Sequence, residues 1–144
     1  MKRLLVVLVT LSCGLASSAR AEDPDQARYR FLVGSYACVG RMPDSTKTYT
    51  GQVQIREAKG GIRVVRTIAG KKVEATGQFG TVTPDKISVL NLRFRQDHLD
   101  YEATCLVSTD LDNYPRITCH VATGKSKKVG LETLFADYGQ LGTP

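Results

Sequence analysis

The chain has 144 residues, 20 basic and 14 acidic, for a formal charge of +6 and an isoelectric point near 9.3. That length allows one domain of ordinary size and excludes a multidomain enzyme. Much of the positive charge sits at the extreme N-terminus, so the basic balance is poor evidence for a nucleic-acid partner.

Residues 1–21 have the three-part layout of a secretory signal peptide. Lys2 and Arg3 precede a short apolar run, Leu4 to Leu11, and small residues lead to Ala19-Arg20-Ala21, an A-x-A cleavage site. The run is far shorter than the roughly 20 residues of a membrane span, and no later stretch approaches that length. Cleavage after Ala21 leaves a single domain, 22–144, with a net charge of +3 once Lys2, Arg3 and Arg20 depart. A lipoprotein would instead be cut before Cys13, but Thr10-Leu11-Ser12 is a poor lipobox. The expected location is therefore the periplasm or the exterior.

The segment 23–33, DPDQARYRFLV, reads as a short helix capping one end of the domain. From Gly34 onward the apolar residues recur every second position, the pattern of half-buried strands. Strands are expected at 34–41, 48–57, 61–68, 72–79, 86–94, 98–108, 115–122 and 129–135. Between them AKGG, IAGKK, TVTPDK, DLDNYP and TGKSKK supply the Gly, Pro, Asn and Asp that tight turns need. The fold class is all-β: an antiparallel meander of about eight strands, closed as a small up-and-down barrel or left as a strongly curved sheet.

Three cysteines remain after export: Cys38, Cys105 and Cys119. If the turn of 110–114 centres on Asp112, residues pair when their numbers sum to 224, which sets Cys105 opposite Cys119 on the apolar face of both strands. Directly opposed Cα atoms lie roughly 4.5–5.5 Å apart, within reach of a disulfide, and an exported chain meets an oxidising environment. Bridges from Cys38 to either partner, or three reduced core thiols, are the alternatives. Left over, Cys38 reads as a small buried hydrophobe. The sharper reading, a reactive nucleophile in a thiol-dependent enzyme, needs a cationic neighbour or a helix N-terminus that the local sequence does not supply.

Other catalytic chemistry finds little support. Of two histidines, His98 sits in an acidic stretch with Asp97, Asp100 and Glu102, a solvated strand end, and His120 points away from its neighbour Cys119. A metal centre needs three or four converging ligands, and CxxC, HExxH, phosphate-loop and nucleophile-elbow motifs are absent. The expectation is a non-enzymatic protein with no cofactor and no metal. Two features suggest binding instead. Arg66 interrupts the inward face of its strand, and Asn91 or Arg93 interrupts another. With Tyr36 and Tyr101, Arg66 is a candidate polar contact for a small apolar ligand in the barrel, although a bulge turning it outward is the simpler reading. Lys71, Lys72, Lys125, Lys127 and Lys128 all fall in turns and, if those turns share one rim, form a patch for an anionic envelope component. A protein inhibitor or adhesin acting through its loops is the alternative, and a thiol-dependent enzyme using Cys38 the remote one.

Residues 34–55, GSYACVGRMPDSTKTYTGQVQI, together with Gly70 to Gly77 and Gly130-Leu131-Glu132-Thr133-Leu134, carry a resemblance. They resemble a loosely defined, mostly uncharacterised family of small exported proteobacterial β-proteins patterned GxYxVxGxNPDGSxYxG and ending in GTExL. Met42 replaces the Asn of that pattern, Ser45 replaces its Gly, and the turn holds an added residue. The shared positions are turn and glycine residues, so the resemblance implies a β-fold and carries over no catalytic residue. The Tyr36-Ala37-Cys38 fragment is also similar to one in periplasmic inhibitors of c-type lysozyme, which are small barrels. A net positive chain is electrostatically a poor match for that cationic enzyme.

Overall fold

The structure, a computed structural model, describes residues 24–109 and 114–137. The expected signal peptide of residues 1–21, the expected cleavage point after Ala21, Cys13 and the expected turn centre at Asp112 lie outside the described residues. One helix, α1 (Pro24–Phe31), precedes eight strands: β1 (Gly34–Arg41), β2 (Thr48–Ala58), β3 (Gly61–Ile68), β4 (Lys71–Val82), β5 (Ile87–Gln96), β6 (Leu99–Thr109), β7 (Pro115–Thr123) and β8 (Gly130–Ala136). Each strand pairs antiparallel with the next, and β8 returns to β1, closing an up-and-down barrel. Among the described strands closure leaves no unpaired sheet edge, which an open meander of this length would expose.

Alternation of side chains decides what fills the barrel. Tyr36, Val53, Ile55, Ile62, Val64, Ala75, Leu90, Leu92, Ala103, Ile117, Val121 and Leu134 point inward and are almost fully buried, so the lumen is packed by side chains rather than hollow. Glycines admit the tightest approaches: a Cβ on Gly61 would stand 2.4 Å from the carbonyl oxygen of Gly77. The two-residue hairpin turns follow the twist of their strands. Ala69 and Gly70 both have positive φ, as do Asp97 and His98.

Helix α1 closes one end. Leu32, which follows it, is wholly buried, and Tyr29 stacks on Phe79 with centroids 5.1 Å apart. The Tyr29 hydroxyl accepts from the Phe79 amide at 3.1 Å. From β1, the Tyr36 hydroxyl donates to the Leu32 carbonyl at 2.7 Å. The β2–β3, β4–β5 and β6–β7 connections share this end with the helix, and the other four connections form the opposite, open rim.

Across β6 and β7 the partners sum to 224 throughout, Tyr101 opposite Thr123 and Thr109 opposite Pro115. Cys105 therefore faces Cys119 and the two are bonded, with Cα atoms 4.0 Å apart. Cys38 is free and buried.

Candidate functional site

The expected bulge at Arg66 does not form. Arg66 stays in regular register, opposite Val53 on one side and Val73 on the other, and points into the lumen with 1% of its surface exposed. What makes this tolerable is Glu132 of β8, 3% exposed and equally inward. Arg66 Nε donates to Glu132 Oε1 at 3.3 Å, and Nη2 donates to Oε2. Tyr49 of β2 also donates its hydroxyl to Oε2 and accepts from Arg66 Nη2 at 3.4 Å. Phe94 lies under the guanidinium, its ring centre 4.2 Å from Cζ, and Tyr101 stacks on Phe94 at 5.0 Å. These residues come from β2, β3, β5, β6 and β8, all near the open rim, so one polar clamp ties the barrel together across its lumen just below the mouth.

Local sequence explains the fit. Gly40 of β1 pairs with Tyr49 on one side and Glu132 on the other. A Cβ there would sit 2.6 Å from the Tyr49 hydroxyl, so only glycine lets the phenol reach the carboxylate. The electrostatics reflect burial and proximity. Burial opposes the Arg66 charge, but the Glu132 carboxylate outweighs it and holds the guanidinium above its ordinary pKa. Burial, then the charge of Glu132, raises the Tyr49 phenol well above its usual range.

Cys38 borders this clamp. Burial, with a second contribution from Glu132, pushes its thiol up to about 11. Arg66 does supply the cationic neighbour that the local sequence lacks, but Glu132 cancels it, so at neutral pH the group is a protonated, shielded thiol.

The other candidates separate by position. Tyr101 belongs to the stack over Arg66, half-buried at the mouth. Tyr36 lies at the helix end and serves to hold Leu32. Asn91 and Arg93 do not interrupt the inward face of β5, because Leu90, Leu92 and Phe94 occupy it; Arg93 points outward and pairs with Glu102 at 3.2 Å. His98 is an exposed turn residue, and His120 is outward and exposed.

The five lysines do share the open rim, but not one patch. Lys71 and Lys72 start β4, while Lys125, Lys127 and Lys128 lie in the β7–β8 connection, four strands away around an eight-stranded barrel and so across the mouth. Lys71 pairs with Asp97 at 3.6 Å. The β7–β8 loop is tied to the β1–β2 loop: the Asp44 carboxylate accepts from the amides of Lys127 and Lys128, and the Asp44 amide donates to the Lys128 carbonyl. Counting Arg41, Lys47 and Arg95 with the five lysines, the rim carries eight basic residues against three acidic ones, Asp44, Asp97 and Asp100. By the same boundary the helix end has five, Arg28, Arg30, Lys59, Lys86 and Arg116, against four, Asp25, Glu57, Asp85 and Asp137, among the described residues. The sequence reading missed Glu132 and Tyr49 as site residues. Glu132 shows itself only as the one acid at an even-numbered position in GLETL, where Gly130 and Leu134 share its face.

The most apolar of the larger clefts lies outside the lumen, a space of about 640 Å³ between α1 and the barrel wall lined by Phe31, Leu32, Phe79 and Val107 among others. Among the described residues no group of three or more His, Cys, Asp and Glu side chains is placed to hold a metal ion. No described helix is long and apolar enough to cross a membrane. No protein-family profile matches this chain, and no curated protein is detectably similar to it.

Proposed function

We propose that the protein is an exported, non-enzymatic binding protein of the cell envelope, delivered by the leader of residues 1–21, and that it holds an anionic component at its open rim. The observation that carries this is the charge asymmetry of the two barrel ends, eight basic against three acidic residues at the rim. Support also comes from the packed lumen, which leaves the surface as the place for recognition, and from the disulfide, a bond that persists outside the reducing cytosol. The buried, protonated Cys38 offers no nucleophile.

Phosphate and carboxylate groups both suit ammonium donors, so the ligand class is a polyanion such as lipopolysaccharide or an acidic wall polymer. Each lysine near a dense anionic surface contributes about 1 kcal/mol. Replacing Lys125, Lys127 and Lys128 together by Glu should therefore weaken capture of lipopolysaccharide by at least about a hundredfold, with a binding constant that falls as salt rises. Equal capture by the variant, or binding insensitive to salt, would remove the reading. The cleft beneath α1 favours a second reading, a small apolar ligand held there rather than in the lumen. Native mass spectrometry of protein from its own periplasm tests it, and a bare mass throughout counts against it.

A further inference from the structure

The outer wall of the barrel is not uniform. On β2, β3 and β4 the outward positions are mostly Gln, Thr, Arg, Lys and Glu. On β7, β8 and β1 they include no acidic residue at all. Val39, Leu131 and Phe135 project from β1 and β8 with 43% of their surface exposed, and Leu106 of β6 with 56%. Register makes them one face. Val39 lies opposite Thr133, Thr133 opposite Thr118, and Thr118 opposite Leu106, an uncharged row crossing four strands. Leu131 and Phe135 flank that row on β8. At its rim end the band runs into Val129, 48% exposed, and then into Lys125, Lys127 and Lys128. Arg41 and His120 lie beside Leu131 and Arg116 beside Phe135, so the band is an apolar cluster edged by basic side chains, with Leu106 beyond two threonines. Isolated exposed apolar residues are ordinary, but a cluster of them marks an interaction surface.

Two occupants suit an apolar band, and shape with charge chooses between them. A second copy would meet this wall as one cylinder meets another, along a narrow strip. Four strands span only about 19 Å, and a stable interface needs roughly 800 Å² per partner. A lipid surface is fluid and adapts to the curve. Its anionic headgroups also complement β7, β8 and β1, whose outward positions carry no acid and which end in three lysines. The two outward acids of β6, Asp100 and Glu102, lie at the border with β5, against Arg95 and Arg93.

We infer that the β6–β7–β8–β1 wall rests on an anionic lipid surface, with Val39, Leu106, Leu131 and Phe135 entering the acyl boundary and Lys125, Lys127 and Lys128 on the headgroups. This inference rests on the rim reading and names the lipid surface as its partner. The barrel lies on its side, in the manner of proteins that combine a modest apolar contact with basic residues.

The chain contains no tryptophan, so a single introduced indole reports without interference. Phe135→Trp places it on the band, and Gln54→Trp places it on the exposed wall of β2 as a control. Mixed with phosphatidylcholine vesicles containing phosphatidylglycerol, Phe135→Trp should shift its emission to the blue and be quenched by bromine on the acyl chains. Gln54→Trp should do neither, and vesicles of phosphatidylcholine alone should give little binding. In the Phe135→Trp background, Leu131→Ser and the milder Val39→Thr should each weaken partition roughly fivefold. Lys125→Gln, Lys127→Gln and Lys128→Gln together should weaken it about a hundredfold.

Equal quenching at both positions would overturn the inference. So would a blue shift without lipid that grows with protein concentration, the mark of a second copy on the wall. If the lysine variant loses lipopolysaccharide while Phe135→Trp stays unquenched, the rim reading stands and the lipid inference falls. If the lysines matter to neither, both fall.

Discussion

Glu132 offers the sharpest test of how this barrel is held. Arg66 is 1% exposed and has Nε and Nη2 on Glu132, a marginal 3.4 Å contact to Tyr49, and the Phe94 ring beneath it. Its Nη1 has no hydrogen-bond partner among the described residues. Glu132→Leu therefore strands a cation in an apolar lumen with one hydroxyl and one ring as company, and breaking a buried pair in this way costs about 3–5 kcal/mol. Against a total of about 5–15 kcal/mol for a domain, that is a large fraction. With a urea slope of about 2 kcal/mol per molar, the unfolding midpoint should fall by roughly 2 M. Replacing both partners, Arg66→Met with Glu132→Leu, removes the stranded charge along with the pair, and such exchanges are often neutral or stabilising. The double variant should unfold within about 1 kcal/mol of the parent, giving a coupling of about 3 kcal/mol or more in a double-mutant cycle. A single Glu132→Leu costing under about 1 kcal/mol would refute the reasoning, because it would mean that water already reaches Arg66.

The same core has other testable consequences. Replacing Cys105 and Cys119 by Ala opens a loop of about 15 residues and should lower stability by about 3 kcal/mol in equilibrium denaturation. Native Cys38 should resist iodoacetamide at pH 8 and react only in denaturant; rapid native labelling would contradict its burial. The raised Cys38 pKa sets an alkaline limit: the folded state holds the proton up to about 11 while the unfolded thiol loses it near 9. Its share of stability is thus full below pH 9 and lost as pH rises through 11, about 2 kcal/mol gone by pH 10.5. Cys38→Ala should flatten that part of the pH profile of urea midpoints. Gly61→Ala sets a Cβ 2.4 Å from the Gly77 carbonyl oxygen, a backbone group that cannot swing aside. It should destabilise by roughly 1–3 kcal/mol, readable as a fall in thermal midpoint.

The strand series was largely legible because its evidence is local. Side chains of period two, with turn residues between them, placed the strands within a few residues, β4 and β5 differing most by running on to Val82 and Gln96. The disulfide was legible by the same logic, since one turn centre sets the register of a whole hairpin. Arg66 was not. Its inward position depends on Glu132, 66 residues away and three strands around the barrel. Nothing in GIRVVRTI reveals that partner, so an outward bulge was the cheaper expectation for an unpaired arginine. The arrangement of the lysines also escaped, because it requires counting connections around a closed ring.

Strand β8 shows what the buried pair contributes beyond its modest net energy. By hydropathy alone its inward face should be Val129, Leu131, Thr133 and Phe135, since the opposite face offers only Gly130, Glu132 and Leu134. The strand nevertheless turns the poorer face inward and leaves Leu131 and Phe135 in water. A slip of one residue against β1 or β7 would bury them, but it would also push Glu132 outside and strand Arg66. The several kilocalories at stake there match or exceed what two half-exposed side chains gain from burial, about 1.5–3 kcal/mol each if moved fully from water. Gly130 adds a steric reason, because any side chain there would meet the Arg41 carbonyl oxygen at 2.5 Å. The charge pair thus sets the register in which the barrel closes, and the apolar band on its outer wall is the consequence.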